Sequence, residues 1–209
     1  MKAIRHQRGK ATREAIVKAA ETVFAEVGYG EARLEDIAAI VGVRRPSMVY
    51  YFAGKQELYD AVEADIFEAM HHFSRERLEG VTGPLEKLLA LTDAWLDFIV
   101  ARPTAARIIQ RLIADVRPRQ GNPIEFSHVA LDILEDIVTE GVESGRFRPV
   151  SPMFVLNGVS GGILFYVNNS TLIGEQRFYE PSDPETLAEY RALLGRLIRA
   201  AVLCDAPAG

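Results

Sequence analysis

Residues 34 to 53 hold two short apolar-faced stretches on either side of one glycine, and this spacing constrains the chain more than any other part of it. Two short helices that meet over so tight a turn cross steeply. The first must then present a small residue to the second, and the turn needs a backbone that glycine adopts without steric cost. Ala38, Gly42 four residues on and Met48 six further meet these needs in order, while Ile37, Val41, Val43 and Phe52 supply a miniature core. The pattern predicts a helix-turn-helix. An ordinary helical hairpin would want the same apolar residues and the same glycine, so the outward residues decide. Arg44, Arg45, Ser47, Tyr50 and Tyr51 gather donors and aromatic donors around the start of the second helix. Such a surface suits phosphate oxygens and base edges, and it predicts contact with DNA.

The charge distribution points the same way. The chain of 209 residues carries a formal net charge of −5, which argues against a general polyanion binder. Residues 1 to 55, however, hold ten Lys or Arg against six Asp or Glu, a net of +4, and leave −9 for the rest. A basic head on an acidic body suits a polyanion-binding module joined to a part that must not bind polyanions. Lys2, Arg5, Arg8 and Lys10 form a basic arm. It can reach the DNA backbone or an adjacent minor groove, or it can be a mobile and idle terminus.

Hydrophobic period and turn residues divide the remainder into helices. Residues 11 to 27 place Ile16, Ala19, Ala20, Val23, Phe24 and Val27 on one face, and Gly28-Tyr29-Gly30 ends the run. Helices follow over about 34 to 41, from about 45 to a stop near Phe52-Ala53-Gly54, over 55 to 78 (Leu58, Val62, Ile66, Ala69, Phe73 and Leu78 inward), and over 85 to 101, 104 to 115, 124 to 144, 152 to 171 and 184 to 203. Pro103, Pro118, Pro123, Pro149, Pro152, Pro181 and Pro184 fall between helices or in their first turns, where a missing N–H costs little. No run alternates with the period of a strand. The expected fold class is all-α, about nine helices. An N-terminal three-helix helix-turn-helix domain (1–54, with the basic arm) joins a larger C-terminal helical domain (55–209) for ligand binding and dimerisation.

At 48% hydrophobic and 25% charged residues, with every apolar run broken by charge, no membrane span or secretory leader is expected, and the cytoplasm is the expected compartment. A single cysteine, Cys204, rules out an internal disulfide and a thiolate zinc cluster. His71 and His72 are adjacent and so point to different sides of a helix, and His6 and His128 lie in no ligand pattern; no metal and no cofactor is expected. There is no nucleophile elbow, no phosphate loop with its lysine and no carboxylate pair in a motif. Neither catalytic residues nor enzyme activity are expected.

The stretch from Arg13 to Leu58, with Ile16, Ala19-Ala20, Phe24, Gly28-Tyr29, Asp36-Ile37-Ala38, Gly42-Val43, Tyr51-Phe52 and Lys55 in order, resembles the N-terminal domain of the TetR family of one-component bacterial regulators. The resemblance covers under a quarter of the chain, and its ordered motif is specific. It implies an all-helical homodimer whose helix around 45 to 51 enters the major groove, with Tyr51 and Lys55 on phosphates and Ser47 and Tyr50 facing the groove. It also implies a palindromic double-stranded operator and a small-molecule effector, most often the arrangement of a repressor. The chain departs from the family at three places. Arg33 stands where a helix-capping threonine is usual, Arg44 where a serine is, and Val49 where the first tyrosine of a pair is. Arg33, Arg44 and Arg45 add cationic contacts as the tyrosine hydroxyl is lost. These departures leave a second reading open, a small-molecule-binding helical protein whose head has lost specific DNA binding.

For the body, the resemblance implies a ligand cavity and a dimer interface built from the last two helices. Trp95, Phe98, Phe126, Phe165 and Tyr166, with Met153, are large residues that can line a cavity or simply fill a core, and Asn157 is a polar group on the same helix as Phe165. Arg107 and Arg111 lie four apart on one face and can clamp an anionic ligand or sit in solvent beside acidic neighbours. Gly158, Gly161 and Gly162 weaken their helix by roughly 1 kcal/mol each relative to alanine, which implies close approach by another backbone or a ligand. Packing across a twofold axis, with the Leu-rich face of 184 to 203, is the preferred account.

Overall fold

The structure is a computed structural model that describes residues 2–114, 128–171 and 178–204. Among these residues there are nine helices and no strand: α1 Lys2–Glu31, α2 Leu34–Val41, α3 Arg45–Tyr51, α4 Lys55–Leu78, α5 Pro84–Ala101, α6 Pro103–Ala114, α7 His128–Glu143, α8 Pro152–Asn168 and α9 Pro184–Val202. The all-α fold expected from the hydrophobic period is the fold observed. One isolated antiparallel bridge joins Phe147 to Leu203.

The described residues form two compact units. The head holds the residues up to Glu68 together with Arg107–Ala114, and the body holds Ala69–Ala106 and the residues from His128 onward. Helices α4 and α6 therefore each contribute to both.

In the head, α1 runs longer than its apolar face predicts, because the backbone is helical from Lys2. Ile16, Ala20 and Phe24 are fully buried, and Gly28 (φ 79°, ψ 170°) breaks the helix where the glycines were expected to stop it. Between α2 and α3, Gly42 takes a left-handed conformation (φ 74°, ψ 27°), and the N–H of Val43 closes the end of α2 onto the carbonyl of Ala38. Ile37, Ala38, Met48 and Phe52 are buried, whereas Val41 and Val43 reach only the margin of this core.

Leu58, Val62 and Ile66 of α4 point inward as expected. Beyond them the stripe turns, so that Ala69, Phe73 and Leu78 are half-buried while Met70, His71 and Ser74 are enclosed. The hydroxyl of Ser74 bonds the carbonyl of Met70 at 2.8 Å, which lets a polar residue take an apolar position. His72 on the neighbouring face is exposed, beside Glu76 at 3.5 Å.

In the body, α5 packs against α7, α8 and α9, and α7 against α8. Leu88, Leu91, Ala94, Leu96, Ile99, Leu134, Val138, Ile163, Leu194 and Ile198 fill the interior. Pro84, Pro103, Pro152 and Pro184 open their helices, and Asp183 caps α9 by accepting from the N–H and the hydroxyl of Thr186, both at 2.9 Å. The start of α7 predicted at 124 lies outside the described residues.

Candidate functional site

The surface of the helix-turn-helix follows from how its core turns each residue. Met48 is 1% exposed, and its burial fixes the rotation of α3 so that Arg45, Pro46, Ser47, Val49 and Tyr50 face outward. Tyr50 is 84% exposed and meets the half-buried Tyr51 edge-on, ring centres 5.2 Å apart. Arg33 and Arg44 are exposed at the entries of α2 and α3, and neither helix start has a side-chain cap. The acids Glu35 and Asp36 in the first turn of α2 favour its positive end in place of the missing cap. Arg45 is not isolated: its Nε lies 3.0 Å from Oε1 of Glu35, an exposed pair that steers the guanidinium more than it stabilises the fold. The position of Glu35 opposite Arg45 depends on the crossing of α2 and α3.

Lys55 occupies a different environment from that of a free phosphate-contacting lysine. Its ammonium donates to the carbonyls of Tyr29 at 2.7 Å, Gly30 at 3.1 Å and Ala32 at 3.1 Å, and it lies 4.7 Å from the centre of the Tyr29 ring. These carbonyls are the ones left open where α1 ends, so the cation answers both the orphan acceptors and the negative end of the helix. Arg111 does the same on the preceding turn, donating from Nη2 to the carbonyls of Glu26 at 3.2 Å and Ala25 at 3.5 Å. Its spacing from Arg107 suggested a ligand clamp or a solvated pair; the guanidinium instead binds the end of α1, against Gly28, where a Cβ would lie 2.5 Å from Nη1. Around this end Phe24, Tyr29 and Tyr59 form an aromatic trio, Tyr59 standing edge-on to both partners at 4.9 and 5.1 Å. Burial, reinforced by the carboxylate of Asp60, raises the Tyr29 hydroxyl above its usual range.

Of the arm, Lys10 pairs with Glu14 at 3.8 Å on the surface. The side chains of Lys2, Arg5 and Arg8 lie outside the described residues.

The candidate ligand residues of the body do not converge. Trp95 is 5% exposed, and its indole Nε1–H has no acceptor among the described residues. Phe98 is half-buried beside Phe73, with the Arg102 guanidinium 6.0 Å from its ring centre. Asn157 is exposed, as is Arg107, which belongs to the head; Phe126 lies outside the described residues, and Phe165 and Tyr166 line the α8–α9 face rather than an interior cavity.

That face is built around stacked tyrosines. Tyr166 lies on Tyr190 with ring centres 4.0 Å apart and planes within 6°, and Tyr179 also stacks on Tyr166 at 5.1 Å. The Tyr166 hydroxyl donates to the carbonyl of Pro181 at 3.1 Å, and the Tyr190 hydroxyl lies where a Cβ on Gly162 would meet it at 3.0 Å. Gly162 thus admits the stack, while Gly158 and Gly161 open onto an outer surface that also carries Phe154, Phe165, Leu193 and Leu197, each between 42% and 75% exposed. Burial, with added repulsion from Tyr179 and other neighbours, pushes Tyr166 and Tyr190 up to about 12. Because the folded state holds these protons more tightly than the unfolded chain, the stacking contribution is full below pH ~10 and is lost as pH rises from ~10 through ~12. An alkaline titration should show some of the seven tyrosines ionising late, together with loss of body helix. Ionisation of all seven in one step near pH ~10, with helix content unchanged, would contradict this.

Comparison with known proteins places both parts of the chain. Residues 16–62 match the model for bacterial regulatory proteins of the tetR family, and residues 84–198 match that of the tetracyclin repressor-like C-terminal domain. The HTH-type transcriptional repressor KstR2 of Mycolicibacterium smegmatis is 26% identical over 178 residues, covering 82% of this chain and 81% of its own. Among solved structures, the ketosteroid transcriptional regulator KstR2 of Mycobacterium tuberculosis superposes with a TM-score of 0.69 at 22% identity, over 92% of this chain and 95% of that one. The transcriptional regulator FadR of Bacillus subtilis, solved in complex with stearoyl-CoA, gives a TM-score of 0.70 at 21% identity over 87% and 96% of the two chains. With both models matched in order, the second over more than half of the chain, the chain belongs to the TetR family and is a helix-turn-helix, DNA-binding transcriptional regulator.

Proposed function

We propose that this protein is a homodimeric repressor that acts in the cytoplasm, binds a palindromic operator through Arg33, Arg44, Arg45, Ser47, Tyr50 and Tyr51, and leaves it when a small molecule occupies the body. The observation that carries this reading is the outward face of α3, where donors and aromatic hydroxyls project from a helix held by the buried Met48 and Phe52, in the first 55 residues, whose net charge is +4. Ser47 and Tyr50 face the groove, and the half-buried Tyr51 contacts phosphate through its hydroxyl. Lys55 supports the interface indirectly, by fixing the end of α1, and adds a phosphate contact only if it releases those carbonyls.

The exposed apolar and glycine surface of α8 and α9 is the proposed dimer seam, which would carry two α3 helices spaced by one DNA turn, ~34–36 Å. For the effector, the buried N–H of Trp95 offers a hydrogen bond to an acceptor on an otherwise apolar molecule or segment, and the stearoyl-CoA complex of Bacillus subtilis FadR gives precedent for a ligand with a long acyl chain on this fold.

The engagement of Arg45 with Glu35, and of Lys55 with three carbonyls, favours the second reading, a small-molecule-binding helical protein whose head has lost specific DNA binding. Selection from random double-stranded DNA, followed by affinity measurements against salt, decides between them. A repressor should yield a palindrome whose binding constant falls steeply as salt rises, since each neutralised phosphate releases counterions. No enriched sequence and no salt dependence would establish the second reading.

A further inference from the structure

We infer that Val49 is a base-reading residue that selects a thymine in each half-site by its 5-methyl group; the inference rests on the DNA-binding role proposed above. Val49 is the fifth residue of the seven-residue α3, is 53% exposed and belongs to none of the head's buried positions. A β-branched residue lowers helix propensity, and an uncovered isopropyl group adds nothing to the core, so the fold gains nothing from valine at this place. Its neighbours on the helix surface are Arg45 one turn back and Pro46 three residues back, both exposed. Arg45 is turned toward Glu35 through its Nε, and Pro46 and Val49, three residues apart on the helix surface, form an exposed apolar pair beside it.

In the major groove each base pair displays donors and acceptors, and thymine alone among the four standard bases adds a methyl group. Valine carries no donor or acceptor. Against cytosine it would leave the exocyclic amine without a partner; against thymine it buries methyl on methyl. The family resemblance places a tyrosine here, whose hydroxyl can reach phosphate. The exchange for valine therefore turns a position suited to backbone contact into one suited to sequence selection.

The test uses the full-length protein and the operator obtained by selection from random DNA. Each thymine of that operator is replaced in turn by deoxyuridine, which changes only the methyl to hydrogen. One thymine per half-site should weaken binding about four-fold on replacement, the magnitude expected for exposing one methyl group. With Val49→Ala that sensitivity should disappear at the same position and persist at any other. Because Val49 is exposed, the variant should fold; Val49→Thr, which keeps the shape, checks this and should retain part of the sensitivity. Half-sites without thymine, uniform insensitivity to deoxyuridine, or an effect unchanged by Val49→Ala would overturn the inference while leaving operator binding intact. Failure to recover any sequence would overturn the DNA-binding reading, and the inference with it.

Discussion

Phe52→Ala is expected to abolish operator binding while leaving the body folded and its oligomeric state unchanged. Phe52 is 1% exposed, and the Arg13 guanidinium lies 4.9 Å from its ring centre, so the ring joins α1 to the end of α3. Truncating a buried phenylalanine costs about 3–5 kcal/mol, part as lost transfer energy and part as the cavity left behind. The head is the smaller of the two units, and a loss of that size is comparable to the entire stability of a small domain. With Phe52 gone, Met48 loses its neighbour four residues on, and the rotation that turns Val49 and Tyr50 outward is no longer enforced. The readouts are anisotropy titration on the selected operator, size-exclusion chromatography, and circular dichroism through a thermal scan. Undiminished DNA affinity would show that the miniature core does not position α3.

The second large effect belongs to the body. Gly141→Ala would place a Cβ 2.1–2.5 Å from three carbons of the Phe147 ring, inside any tolerable contact. The ring has nowhere to move. Phe147 is 2% exposed, its N–H donates to the carbonyl of Gly141 at 2.8 Å, and its backbone pairs with Leu203. Overpacking of this kind costs about 1–3 kcal/mol, and rigid aromatic carbons on one side place the expected cost toward the upper end. At a fixed protein concentration, each kcal/mol should lower Tm by roughly 2–4 °C for a chain of this length. Combining the change with Phe147→Leu should recover part of the loss, because the two residues are in direct contact and their effects cannot add. A Tm within about 1 °C of the parent for Gly141→Ala alone would fall below this range and count against the packing described.

These effects mark how far local sequence determines this structure. The bounds of α2, α3 and α4 were legible because each is set by neighbouring residues: Gly42 in the left-handed region, Pro46 in a first turn, Ala53-Gly54 before Lys55. The buried set Ile37, Ala38, Met48 and Phe52 was legible for the same reason, since helical period and small-residue spacing specify it. The roles of Lys55 and Arg111 were not. Their partners are carbonyls at the end of α1, 23–26 residues away for Lys55 and 85–86 for Arg111, and a main-chain acceptor leaves no mark in a side-chain pattern. Likewise the aromatics of α8 divide between interior and surface, with Tyr166 enclosed in the stack and Phe165 turned outward. Periodicity places the two on different faces but does not say which face is covered. The missing cap at Arg33 was readable, whereas the turn of Arg45 toward Glu35 required the helix crossing itself.

The aromatic trio at the end of α1 governs how this chain can be dissected. A fragment stopping at Gly54 keeps the whole helix-turn-helix motif, yet it loses Tyr59, against which Phe24 and Tyr29 stand, together with Lys55 and the fully buried Leu58, Val62 and Ile66. Extending it through Glu68 restores these but still omits Arg111, which enters the same unit from a separate stretch of sequence. The head is thus discontinuous along the chain, and no single cut in the gene releases it whole. Swapping heads between regulators of this kind would need three junctions, one within α4, one within α6 and one between α6 and α7, where the body resumes.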